Sequence, residues 1–465
     1  MIKYCALAPH PPLIVPGISD RDLGAVGATI AAMKELARTV AEQRPKTLVF
    51  FTPHGNVYQD AVSILNRSEL EGSLAQFGRG DLHYRHPNDK TLLARIAQRA
   101  LEADLPVVLV DEKPNDHRLN PNLDHGILVP LHYLEAAGLK DIPLVAISVG
   151  YLSLEELYRF GMAVRDAAAD VGREIAVIAS GDMSHRLKSD GPYTYHPDGP
   201  VFDSTIAKLM AAGDLAGIFN LDEKTRDNAG ECGFRSIVMM MGTLNTEDFA
   251  PRVYSYEGPF GVGYLVAGLE PNGVLRDDYY QILQQQKAKD AADRRAAESE
   301  LVAWARQSLE AYVKDGSRVD LPKQLSEQLG KRAAAFVSLK KNGQLRGCIG
   351  TLAPVRPNLA AEIRENAISA GTQDPRFLPV TRAELDELVY SVDVLGEPEL
   401  ITSMDELDPK RYGVIVRAEG KSGVLLPDLE GIDRAEKQVE IALEKAGIGP
   451  AVPYQMERFE VRRHK

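Results

Sequence analysis

Residues 44–56 read RPKTLVFFTPHGN. Thr47 to Phe51 is a continuous apolar run, the pattern of a strand buried on both faces. Pro53 cannot donate to a ladder, so the strand ends there and delivers His54 to the mouth of a sheet. Two other stretches repeat the device. Lys3 to Ala8 runs into Pro9-His10-Pro11-Pro12, and Glu174 to Ala179 runs into Ser180-Gly181-Asp182-Met183-Ser184-His185. Three strands thus release a histidine just past their carboxyl ends, which is the edge where open α/β sheets bind ligands.

Working outward, apolar residues at helical spacing (Ile30, Met33, Leu36, Ala37, Val40) predict a helix ending near Gln43, with Ser19 or Asp20 as its cap. Residues 66–90 read as irregular and polar. Further strands are expected at 61–65, 106–110 and 143–149, with helices at 89–103 and 154–171. A polar loop over 111–124 leads to Asp124-His125-Gly126. Strand and helix alternation on this scale predicts a mainly parallel sheet flanked by helices. Asn228 to Gly233 opens a helix over 234–244, and residues 252–269 form a closing pair of strands. The α/β domain therefore spans 1–270, and a polar helical linker spans 271–298.

A smaller α+β domain follows over 299–465. Asn342-Gly343 between apolar runs signals a tight hairpin, because both residues tolerate positive φ. Residues 414–418 and 424–426 form a second hairpin around Gly420, with helices at 301–313, 358–370 and 434–446.

The chain has 465 residues, 44% hydrophobic and 26% charged, with a net charge of −12. The negative balance argues against a general nucleic-acid binder. No apolar run reaches the roughly 18 residues of a membrane span. The three cysteines, Cys5, Cys232 and Cys348, are too few and too scattered for a disulfide framework. A cytoplasmic homo-oligomer is the expectation.

All but one of the ten histidines precede residue 200. His10 and His54, at neighbouring strand ends, suit zinc, copper or iron as neutral imidazoles. Glu231 stands at a predicted helix N-terminus, where the dipole favours its ionised form. Two histidines and one carboxylate with open positions form the facial set of non-haem Fe(II) oxygenases. His83, His86 and His196 lie in polar segments at the pocket entrance, and Tyr193 and Tyr195 are candidate contacts to an aromatic substrate. His132 reads as packing.

APHPP, FFTPHG, LDHGILVPL, ASGDMSH and NAGECGFRS, in this order, resemble the LigB-type (class III) extradiol ring-cleavage dioxygenases and their Memo relatives. The resemblance implies Fe(II) held by His10, His54 and Glu231, His185 and His125 as acid and base, and Asp182 orienting His185. It implies ring opening of a catechol-like substrate with O₂. Memo relatives place a cysteine near the third ligand, so Cys232 is the alternative ligand, with Zn or Cu as the alternative metals. QLRGCIGT at 344–351, DPRF at 374–377 and YSVDVL at 390–395 resemble the AMMECR-type domain. The two domain types together imply the alternative reading, a metal-binding protein that acts with a partner such as a radical-SAM enzyme. In the second domain, Arg346 and Cys348 share a strand face. The arginine could activate the thiol, against a reading of Cys348 as a buried structural thiol. Asp374 and Arg376 are candidates to complete a polar cleft around Arg346, a placement that spacing alone does not fix.

Overall fold

Phe50 and Phe51 point to opposite faces of one strand, and both are fully buried. That is why the run around them is continuously apolar. The computed structural model describes residues 1–19, 23–111, 116–341, 343–429, 431–449 and 452–465. The chain divides into two compact units, Met1–Ile282 and Leu283–Lys465.

The strands of the first unit are β1 (Ile2–Ala8), β2 (Thr47–Thr52), β3 (Val62–Leu65), β4 (Glu69–Leu74), β5 (Arg79–Pro87), β6 (Val107–Val110), β7 (Leu144–Ser148), β8 (Ile175–Ser180), β9 (Glu247–Glu257) and β10 (Tyr264–Leu275). Eight of them form one sheet in the order β6-β3-β7-β2-β8-β1-β10-β9. Its centre, β7-β2-β8-β1, is parallel, and β9 and β10 close one edge as an antiparallel pair. Helices cover both faces. Residues of α1 (Gly27–Glu42) and α3 (His125–Ala136) pack with Leu48, Phe50 and Ile178. On the other face, α2 (Lys90–Glu102), α4 (Leu154–Asp170) and α8 (Phe234–Gly242) pack with Val49, Phe51 and Val177. Burying each such large side chain contributes roughly 1.5–3 kcal/mol. Helices α5 (Asp198–Ala212), α6 (Leu215–Phe219) and α7 (Glu223–Ala229) complete the unit.

Two local expectations are corrected. Residues 66–90 are not irregular, because β4 and β5 pair antiparallel across Glu69–Pro87. Leu70, Leu74, Tyr84 and His86 turn inward while Glu69 and Arg85 face out, so the polar outer half of the alternation masked a strand pair. Helix α1 begins at Gly27, later than the sequence suggested. Its first turn is held by Glu257, whose Oε2 accepts from the Thr29 N–H at 2.7 Å and the Thr29 hydroxyl at 2.6 Å. Asp20, Asn342 and residues 112–115 of the polar loop lie outside the described residues.

Within 271–298, residues up to Leu275 complete β10, and α9 spans Tyr279–Ala297. The second unit is built on an antiparallel sheet of β11 (Ala335–Lys341), β12 (Gln344–Gly350), β13 (Leu388–Leu395), β14 (Glu399–Ile401), β15 (Tyr412–Ala418), β16 (Lys421–Leu425) and β17 (Gln455–His464). Helices α10 (Glu300–Asp315) and α12 (Leu359–Thr372) bury Trp304, Leu309 and Ile363 against Val337, Leu339 and Val392. The Trp304 indole N–H donates to the Ala360 carbonyl at 2.8 Å, so the ring is oriented as well as buried. Helix α11 (Glu327–Gly330) is one turn, and α13 (Ala435–Ala446) packs on β15 and β16. Among the described residues no helix is long and apolar enough to cross a membrane.

Candidate metal centre

Strands β1, β8 and β2 are parallel neighbours, with β8 in the middle. Their carboxyl ends therefore lie on one edge, and His10 and His54 leave it on either side of Ser180. The two imidazoles meet, with Nε2 of His54 2.9 Å from Nε2 of His10. The Cys232 Sγ lies 3.6 Å from that same His10 nitrogen. These three donor atoms all fall within 4.8 Å of one another and form a group that could hold a metal ion.

The tautomer of His10 follows from its neighbours. Ser180 donates its single hydroxyl proton to the Gly126 carbonyl. Its oxygen, 2.8 Å from His10 Nδ1, must then accept, so Nδ1 carries the proton. The Nε2 lone pair is left facing His54 and Cys232. A metal-ligating histidine is held this way, its second nitrogen engaged by a fixed partner.

Cys232 reaches the cluster because two loops nearly touch. A Cβ on Gly181 would stand 2.0 Å from the Gly233 Cα, so position 181 excludes a side chain. The approach lets the Asp182 carbonyl accept from Gly233 N at 3.0 Å and lets the Asp182 N–H donate to the Cys232 Sγ at 3.3 Å. Metal–nitrogen bonds of about 2.1 Å and metal–sulfur bonds of about 2.3 Å separate donors around one ion by roughly 3–4 Å. The observed spacings lie on that scale, so the residues fit an ion.

Glu231 is not in this group. Its Oε2 accepts from the Phe234 N–H at 2.6 Å, across the first turn of α8. Of the expected ligands, His10 and His54 stand in this group together with Cys232, the alternative, and Glu231 stands outside it. The physical reason is local. Consecutive residues before a helix point in different directions, and the helix N-terminus captures the carboxylate.

His125 is the first residue of α3, whose N-cap Asp124 accepts from Gly126 N. Its ring stacks on His54 at a centroid distance of 4.4 Å, with Phe77 edge-on at 5.6 Å. His185 stacks on Tyr193 at 5.2 Å. Asp182 does not orient His185 as expected. Its Oδ1 accepts from the His10 backbone N–H at 2.9 Å, so it fixes the first histidine instead.

Burial dominates the titration of these groups. It lowers His10 well below the ordinary histidine value, helped by repulsion from His54, His125 and His185. It lowers His54 and takes His125 and His185 to about 4. All four are neutral at pH 7, which leaves nitrogen lone pairs available. The same desolvation raises Asp182 and Glu231 to about 7 and the Cys232 thiol well above its usual value. A bound cation would reverse that order for the thiol, since a coordinating thiol is deprotonated.

A cavity of ≈ 550 Å³ adjoins the cluster, lined by His54 and His125 and by Glu71, Gln76, His83 and Asn120 among others. His83 lines this cavity, as the sequence suggested for the entrance. His86 does not, being fully buried between the Ile142 carbonyl and Glu135. His132 is packing, held by Tyr84 at 2.9 Å. Sequence reasoning missed Ser180 as the partner of His10. It also missed the wall from Glu71 and Gln76, which belong to the unrecognised strand pair and its turn.

In the second unit, Arg346 and Cys348 are not an activating pair. Arg346 makes two hydrogen bonds to Glu384, at 2.9 and 3.1 Å, and burial raises the Cys348 thiol. Asp374 and Arg376 gather around Cys348 rather than Arg346. Asp374 accepts from the Cys348 N–H at 2.9 Å, and Arg376 pairs with Asp374 at 2.7 Å.

Residues 4–267 match the family described as the catalytic LigB subunit of aromatic ring-opening dioxygenase, and residues 302–464 match AMMECR1. Protein CA_C1420 of Clostridium acetobutylicum is 40% identical over 464 residues, covering 99% of this chain and 98% of its own. A Thermotoga maritima protein is 52% identical over 168 residues, covering 35% of this chain and 96% of its own. Among solved structures, uncharacterized protein JW3007 from Escherichia coli K12 aligns with a TM-score of 0.38 at 16% identity, covering 57% of this chain and 99% of that one. Uncharacterized protein PH0010 from Pyrococcus horikoshii aligns with a TM-score of 0.33 at 32% identity, covering 35% and 88%. Two parts of one chain, each with its own core and its own motif set, thus match two families: this chain belongs to the LigB family, with a Memo-like LigB domain fused to an AMMECR domain.

Proposed function

We propose that the LigB-type unit is a mononuclear metal protein in which His10, His54 and Cys232 hold the ion. One observation carries this reading: the Cys232 sulfur stands 3.6 Å from the His10 Nε2 that also meets His54, whereas the Glu231 carboxylate is engaged by the Phe234 N–H. A thiolate with two imidazoles favours zinc or copper(I) over the harder donor set of an Fe(II) oxygenase. A bound ion of this kind supplies Lewis acidity, and a redox-active one supplies electron transfer as well.

The protein's own residues define what happens beside it. Ser180 and the Asp182 carboxylate fix His10 through its ring and its backbone. His125 and His185, neutral at pH 7, accept protons from acidic hydroxyls of a ligand. The adjoining cavity presents amide, carboxylate and imidazole groups, so it suits a small ligand rich in hydrogen-bonding groups better than a bare aromatic ring.

Fe(II)-dependent ring opening of a catechol is the second reading. It is favoured by the two neutral histidines flanking the cluster and by the LigB family itself. Action with a partner protein such as a radical-SAM enzyme is compatible with the first reading. Anaerobic loading with zinc, copper(I) or iron(II), with metal counted per chain, tests the ligand set. Full metal retention in Cys232→Ala together with loss in Glu231→Ala would overturn it. Nitric oxide added to the iron form then tests ring opening: an iron-nitrosyl resonance that shifts with catechols would move the assignment to the second reading.

A further inference from the structure

The second unit encloses a cavity of ≈ 1090 Å³ between β11, β12, β13, the end of β17 and the last turns of α9. Strand alternation builds one wall. Ala335, Val337 and Leu339 enter the core, so Phe336, Ser338 and Lys340 face the cavity. Register places Ser338 opposite Cys348 on one side and Ser391 on the other, and both also line it. Strand β17 covers β13 only from Val392 to Leu395, and the residues before that, Leu388 to Ser391, open onto the cavity.

Its chemistry is uneven. The two buried acids of the wall are already neutralised, Asp374 by Arg376 at 2.7 Å and Asp393 by Arg463 at 2.8 Å. Lys340 and Lys445 line the same cavity with no carboxylate partner among the described residues. The balance is therefore cationic. Leu345 and Val389 are 41% and 42% exposed and give it an apolar flank beside Phe336.

We propose that this cavity is a binding site for a small molecule with a carboxylate or phosphate group on an apolar body. The anion meets Lys340, Lys445 and the arginine edges. The apolar part lies on Phe336, Leu345 and Val389. Cys348 is a wall residue of this site and serves as its reporter.

The test uses the full chain, with 4-phenylbutyrate, phenethyl phosphate and neutral 4-phenylbutanol as probes. Alkylation of Cys348 by iodoacetamide is followed by peptide mass spectrometry. Cys5, fully buried, reports unfolding, and Cys232 reports binding at the other site. The expected result is that at least one anion slows alkylation of Cys348 about tenfold, that the alcohol does not, and that Cys232 is unaffected. Which anion protects identifies the group. Calorimetry gives the affinity directly. Lys340→Glu with Lys445→Glu is expected to weaken it about tenfold or more. Failure of both anions to bind by calorimetry, or equal protection by the alcohol, overturns the proposal.

Discussion

Cys232 and Cys348 are alike at first sight. Each is half-buried, each has glycine beside it in sequence, and burial raises both thiols. Their neighbours make them different. Cys232 faces an imidazole lone pair and accepts a backbone N–H, with a second imidazole within reach. Cys348 accepts the Ser338 hydroxyl at 3.2 Å and stands beside an aspartate–arginine pair that holds its backbone. Two nitrogen donors turn one thiol into a ligand candidate, whereas a hydroxyl and a closed ion pair make the other part of a wall. What a cysteine can do is decided by which atoms face it, and its own sequence context says little.

The sharpest way to break this contrast is to remove each thiol and count metal. Cys232→Ala or His10→Ala is expected to lower retained metal from near one per chain to near zero after dialysis, by elemental analysis. Cys348→Ala is expected to leave it unchanged. Equal loss from both alanine variants of cysteine would erase the distinction. The next effect is smaller and tests positioning. Ser180→Ala removes the acceptor that fixes the His10 tautomer. Metal affinity is expected to fall about 10- to 100-fold with the fold intact by circular dichroism, the usual scale for losing such a partner. Ser180→Thr, which keeps the hydroxyl, is expected to recover most of it.

On the other side of the comparison, Asp374→Asn opens the ion pair behind Cys348. The amide oxygen still accepts from the Cys348 N–H, but the charge facing Arg376 is gone. Because Arg376 is half exposed, a loss of only about 1 kcal/mol in urea unfolding of the C-terminal unit is expected. The hydrogen bond from Arg376, ahead of all other causes, holds the Asp374 carboxyl well below the usual carboxylate range. A depressed carboxyl stabilises above its unfolded pKa of about 3.9 and loses that contribution as pH falls through the folded value. The wild type is therefore expected to lose its advantage over Asp374→Asn below pH 4, and metal content should not respond.

Much of this was legible in the chain. The buried run at Thr47–Phe51, the proline after it and the same device before His10 and His185 located the sheet edge, because strand burial and proline stops are local effects. The Asn228–Gly233 segment was harder. Periodicity cannot say which of two adjacent residues turns toward His10 and His54, each more than 170 residues away in sequence, and here the contact of Gly181 with Gly233 decides it. Ser180 was in view as part of the motif, but its role depends on where its proton goes, and that is set by the Gly126 carbonyl. The strand pair at 69–87 was hidden by polar residues on its outer face.

The smallest expected effect bears most closely on that ambiguity. Glu231→Gln keeps an oxygen able to accept from the Phe234 N–H and removes the charge. If Glu231 only holds the first turn of α8, metal content should be unchanged, and near pH 4, where the carboxyl is protonated, stability should move by no more than a few tenths of a kcal/mol, since an acceptor at the helix start is retained. The pH dependence carries a sign. Burial raises the Glu231 carboxyl to about 7, above its unfolded value of about 4.3. A raised carboxyl stabilises most below its unfolded pKa and loses that contribution as pH rises through the folded one. The wild type should therefore lose stability relative to Glu231→Gln between about pH 4.3 and 7. If the variant instead loses its metal at every pH, the carboxylate reaches the ion in solution, and the division of labour between Glu231 and Cys232 has to be reversed.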